Sequence, residues 1–244
     1  KHAKIMGSPL NILEPFIAVG NSNLLMIMLP IVYLVLMSDF PKHDGGTLFF
    51  VLRVGKLTWL FGQIIFAFST VITFLLVVFA GSVLPIIPFA FQNNGWSLVV
   101  TKYAVIYPQF ANDYASSLIE KNLYNQLAPY KAARYVFILI TLYFMAIAMI
   151  LLLFHSLKLK KLGILAAGGV IAFGSGLCLL KSPAMWAFPM AHTKVALHYT
   201  EYFREMPVSF HTSFFYLSGL LVALMLFCFV FAKRLNFDTN PERD

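Results

Sequence analysis

Residues Ser38–Gln63, SDFPKHDGGTLFFVLRVGKLTWLFGQ, separate two apolar runs that approach the length needed to cross a bilayer. The stretch is too basic and too broken to cross one itself. Asp39, Pro41, Lys42, His43, Asp44, Gly45 and Gly46 spell a polar turn. From Thr47 a helical pattern resumes. Leu48, Val51, Leu52, Trp59, Leu60 and Phe61 supply apolar surface, and Arg53 and Lys56 stand three apart on a more polar side. The pattern predicts an amphipathic helix over about 47–62 that runs straight into an apolar segment. Such a helix lies along a membrane surface, with its aromatic ring at headgroup depth and its cations toward lipid phosphates or a soluble partner. Two readings stay open, a surface-lying connector and a docking element for another protein.

Composition agrees with that placement. The chain has 244 residues, of which 60% are hydrophobic and only 11% charged, and its mean hydropathy is +0.80. A soluble domain carries roughly 25% charged residues. With spanning-length apolar runs present, the expected fold is all-α, a polytopic helical membrane protein. The net charge of +8 then serves orientation and contact with anionic membrane lipids, and no nucleic-acid partner is expected. Cys178 and Cys228 sit within apolar runs and read as small packing residues, with no disulfide or metal spacing.

Working outward, residues 1–23 are interrupted by Pro9, Asn11, Glu14 and Pro15 and read as an interfacial segment outside the hydrocarbon. Asn21, Ser22 and Asn23 are candidate caps for the helix that follows. Spans are expected at about 22–38, 63–84, 135–154, 162–180 and 213–232. Pro30 lies inside the first, which bilayer helices tolerate. Residues 89–134 and 181–212 are expected as outside segments with aromatic belts, carrying short helices along the surface. The basic knot Lys158–Lys161 and the connector 38–63 fall on one side. With the C-terminal tail, this side holds nine cations against nine on the other, but packed into far shorter loops, much of them next to span ends, so it is assigned to the cytoplasm. Five visible spans leave Lys1 outside, and a sixth, first span upstream would restore the even pattern usual in bacterial permeases.

The runs NILEPFIAVGNSNLLMIMLPIVYLVLMSDFP (11–41), FVLRVGKLTWLFGQ (50–63) and NNGWS (93–97) resemble the permease subunits of bacterial ABC-2-type exporters of the Firmicute kind. The likeness covers most of the chain as order and length of elements and rests on no single diagnostic motif. It implies a permease of the bacterial cytoplasmic membrane with six spans per subunit. It also implies a second permease subunit, identical or not, and a separate ABC ATP-binding subunit that carries the ATP. A cytoplasmic helix would dock on that subunit, here through Phe49, Phe50, Leu52, Arg53 and Lys56. The long 90–134 segment departs from the family, where the loop is commonly short.

The chemistry-bearing residues fit that picture. A phosphate loop needs GxxxxGK[ST]; here Gly55-Lys56 is followed by Leu57, and Phe50 stands where the first glycine belongs. No bound cofactor and no enzymatic activity of the chain itself are expected. His198, Glu201 and Glu205 share a helical face with His192 nearby, which reads either as a zinc set or, more simply, as a mixed-charge interfacial helix. Gly168, Ala172 and Gly176 recur every four residues, a spacing that admits close approach of another helix, within the subunit or from a second one. The expected spans hold almost no charge, which argues against ion coupling and for an amphipathic, peptide or lipid-like cargo. The competing reading is a non-transporting membrane protein, such as an immunity or sensor-partner subunit.

Overall fold

The computed structural model describes residues 2–41, 51, 53–110, 119–200 and 206–232. They form a bundle that is almost entirely helical. In chain order it contains α1 (His2–Met6), β1 (Leu10–Asn11), α2 (Glu14–Asn21), α3 (Asn23–Leu36), α4 (Lys56–Val83), β2 (Ala90–Phe91), α5 (Leu98–Ile106), α6 (Lys121–Gln126), α7 (Pro129–Ser156), α8 (Lys160–Leu179), α9 (Pro189–Thr193) and α10 (Phe210–Ala232). The only sheet among the described residues is the short parallel pairing of β1 with β2.

Among the described residues, four helices are long and apolar enough to cross a membrane: α4 with its 3-10 extension to Phe89, α7, α8 and α10. A fifth crossing exists only if the bent pair α2–α3 counts as one. This changes the expectation for the first span. Alone, α3 is 14 residues long, which at 1.5 Å per residue is about 21 Å, short of a ~30 Å hydrocarbon core. The residues just before it pack on the bundle. Phe16, Ile17 and Gly20 of α2 are buried against the bundle.

The polar triplet Asn21-Ser22-Asn23 turns the chain by 82° between α2 and α3. Ser22 takes an extended backbone (φ −65°, ψ 126°), its Oγ accepts the Leu25 amide at 3.3 Å, and its own amide still donates to Ala18 at 2.8 Å. The Asn21 amide nitrogen donates to the Ile17 carbonyl at 2.8 Å. Side chains thus satisfy backbone groups that the break would orphan. The bend is here and not at Pro30, through which α3 runs unbroken.

Helix α7 is the axis. In its most apolar stretch 72% of the residues are buried, against 33% in α8, 17% in α4 and 11% in α10. Tyr143, Phe144, Ile147 and Leu139 sit in its core, ringed by Tyr33 of α3 and Phe74 of α4. Two glycines set the closest approaches. A Cβ on Gly20 would overlap Val136 of α7, and one on Gly163 would come within 2.7 Å of Phe154 Cβ.

The expected 47–62 helix is divided. Gly55 adopts φ +88°, a value that favours glycine, and α4 begins at Lys56. Trp59 and Leu60 belong to α4 and are buried in the core rather than laid on a surface.

Candidate functional site

Alternation of the long helices gathers the loops at two ends of the bundle. At one end meet the end of α3, the start of α4, the α7–α8 turn and the end of α10. The Lys160 Nζ lies 3.2 Å from Asp39 Oδ1, joining the α3 exit to the start of α8. The Phe61 and Phe229 rings lie 5.0 Å apart and join α4 to α10. Lys158 closes the α7–α8 turn with a left-handed backbone, φ +61°. The two short segments assigned to one side on charge density therefore share one end of the bundle.

Of the residues expected to dock a partner, Arg53 is exposed and Lys56 half-buried at this end, on either side of Gly55. Phe49, Phe50 and Leu52 lie outside the described residues. Val51 is buried, so the connector is anchored one position before Leu52.

The opposite end is polar inside, which the sequence reading missed. Glu14 is 3% exposed, and its carboxylate accepts the Asn11 amide at 3.0 Å and the Ser97 amide at 2.6 Å. The Asn11 side chain donates to the carbonyls of Asn93 (2.5 Å) and Gly95 (2.9 Å). The Trp96 indole donates to Leu127 at 2.8 Å. The NNGWS motif is thus the seat on which the α2 N-terminus is fixed, with Ser97 also capping α5 through Val100. The two backbone amides offset part of the cost of burying this carboxyl group.

Beside it, residues 189–198 fold inward. His192 is 3% exposed; its Nδ1 meets Ser213 Oγ at 2.7 Å and its Nε2 meets the Trp186 carbonyl at 2.8 Å. The ring also stacks on Tyr216, whose hydroxyl donates to Ala187. His198 Nδ1 faces the Val208 carbonyl at 2.8 Å. Lys194, expected in an outside loop, is buried and donates to Asn23 Oδ1. Asn21 Oδ1 accepts the Ala196 amide at 2.7 Å, so the α2–α3 bend is clamped by this segment. Burial pulls the His192, His198 and Lys194 pKa values below their usual ranges. The histidines are engaged with carbonyls and a hydroxyl, and Glu201 and Glu205 lie outside the described residues. No group of three metal-ligating side chains occurs among the described residues.

The small-residue stripe of α8 is only partly covered by the bundle. Ala172 is exposed, nothing lies within 4 Å of a Cβ on Gly176, and Gly168 meets only Leu34, at an ordinary 3.8 Å. Gly163, Ala167, Ile171, Gly174 and Cys178 form the buried face instead. No protein-family model, curated protein or solved structure matches the chain.

Proposed function

We propose that this chain is the membrane-spanning permease subunit of an ABC-2-type exporter, moving an amphipathic, peptide or lipid-like cargo across the bacterial cytoplasmic membrane. ATP is bound and hydrolysed on a separate ABC subunit, and this chain catalyses no reaction itself. The observation that carries the reading is the charged end of the bundle. Several long apolar helices pack together, and the segment joining α3 to α4 is bounded by the Asp39–Lys160 pair on one side and by Arg53 and Lys56 on the other. A soluble partner that docks there acts on α4 across the single-residue break at Gly55. A second permease subunit, identical or related, completes the pathway, and the open Gly168–Ala172–Gly176 face of α8 suits close helix contact with it.

Docking anchors are apolar and central, whereas rim charges contribute less. Replacing Phe49 and Phe50 together by Ala is therefore expected to reduce retention of the ATP-binding subunit more than Lys56→Ala does. The measurement is a pull-down from detergent of the chain co-expressed with a candidate ABC ATPase. Full retention by the double variant removes 47–62 as the docking element. No ATPase co-purifying with the wild type favours the non-transporting reading.

A further inference from the structure

A groove of about 630 Å³ runs between α3 and α4 at the charged end. We propose that it holds one acyl chain of a zwitterionic phospholipid, with the headgroup over the Asp39–Lys160 pair. The inference needs only that the bundle sits in a bilayer and is independent of any exporter partner.

Three observations carry it. The first is length. The α4 wall runs from Phe66 to Val77, about 16 Å at 1.5 Å per residue, which is close to half of a ~30 Å hydrocarbon core, or one leaflet. The second is the polarity gradient. Asp39 lines the mouth, where Phe40 stacks on Phe66 at 5.7 Å; the deep end is closed by Tyr33 against Phe74 at 5.4 Å. Between them the Ser69 and Thr73 hydroxyls lie one helical turn apart on the same wall. Ser69 is one turn below the mouth, where glycerol ester carbonyls can accept from it. The volume is within the roughly 300–1,000 Å³ of ordinary ligand sites.

The third observation is charge. Asp39 is 88% exposed and Lys160 41%, with 3.2 Å between the charged atoms, so the mouth shows both signs side by side. An ethanolamine headgroup answers both: its ammonium faces Asp39 and its phosphate faces Lys160. A purely anionic headgroup meets the carboxylate that itself lines the groove. A neutral diacylglycerol answers neither charge.

The test is native mass spectrometry of the purified full chain, stripped of lipid in detergent and then titrated with phosphatidylethanolamine, phosphatidylglycerol or diacylglycerol of matched chains. An exposed charge pair contributes up to about a fivefold preference, so an excess of phosphatidylethanolamine over each of the other two, of about twofold to fivefold, is expected on the wild type. Asp39→Asn with Lys160→Gln should bring it down to the diacylglycerol level; both side chains are exposed, so folding is not at stake. Thr73→Trp, which fills the groove, should lower retention of all three. Equal retention of the three lipids by the wild type means annular lipid only and overturns the proposal. So does a preference for phosphatidylglycerol, and so does Thr73→Trp retaining lipid as the wild type does.

Discussion

Helices α7 and α10 are both long and strongly apolar, and they pack against each other, yet 72% of the apolar stretch of α7 is buried and only 11% of that of α10. Composition barely tells them apart. The difference lies in what surrounds them. Helix α7 meets α2, α3, α4, α8 and α10, whereas Phe215, Val222, Leu226 and Phe227 of α10 face outward. In a bilayer an apolar side chain gains little by leaving lipid for protein, so the inward face of α7 is held by close packing rather than by transfer from water. A crowded helix and a peripheral one should then respond very differently to the same substitution.

The sharpest break of that contrast is at Gly20, where any side chain overlaps Val136 of α7. Gly20→Leu is expected to cost about 3 kcal/mol or more, the upper range for overpacking, and to collapse the monodisperse peak in detergent size-exclusion chromatography. Val222→Leu on α10, at a position 55% exposed, should leave the peak unchanged. Equal behaviour of the two would mean that α2 does not pack on α7.

A truncation pair comes next. Phe144 is fully buried between Tyr33 and Phe74. Phe144→Ala should cost about 2 kcal/mol, the cavity part of a large-to-small change, since the water-transfer part is mostly absent in lipid. Phe227→Ala, at a site 54% exposed, should cost under about 0.5 kcal/mol. Thermal unfolding of both variants in one detergent reads the difference.

The contrast has an electrostatic counterpart between the two ends of the bundle. The charged end keeps its groups in reach of solvent; the other end buries His192 and His198. Burial lowers both histidine pKa values from the ordinary 6.5. Above that value both states are neutral and no pH dependence arises. Below it the unfolded chain binds protons that the folded chain refuses, so stability falls as pH drops from about 6.5 toward the depressed folded values. The slope is at most about 1.4 kcal/mol per pH unit for each histidine. His198→Gln should flatten the melting-temperature profile between pH 7.5 and 5.5. An unchanged slope would place the proton uptake elsewhere.

The smallest effect separates the two faces of α8. Gly163→Ala pushes on Phe154, whereas Gly176→Ala meets nothing within 4 Å. The first should destabilise the chain by about 1 kcal/mol. The second should stabilise it by up to about 1 kcal/mol through helix propensity. If Gly176→Leu leaves the isolated chain stable but abolishes a dimer seen by crosslinking, the open face is an interface between chains.

The apolar lengths of α4, α7, α8 and α10 were legible because spanning hydropathy is a property of each segment taken alone. So was the cap at Ser22, since a hydroxyl one position before a helix serves its own first turn. The shared side of Asp39 and the Lys158–Lys161 knot could be read from loop charge. The inward fold of residues 189–198 and the burial of Glu14 and Lys194 could not. Each depends on partners distant in sequence: Ser97 lies 83 residues from Glu14, and Asn23 lies 171 from Lys194. Alone, a Glu or Lys among prolines and aromatics reads as solvated, because ionic side chains are buried only where other groups satisfy them. Hydropathy and caps, being local, were fixed by the chain itself. Which helix became the axis, which glycines were crowded and which polar groups were drawn inward depended on close packing and paired hydrogen bonds, and both of these exist only in the assembled bundle.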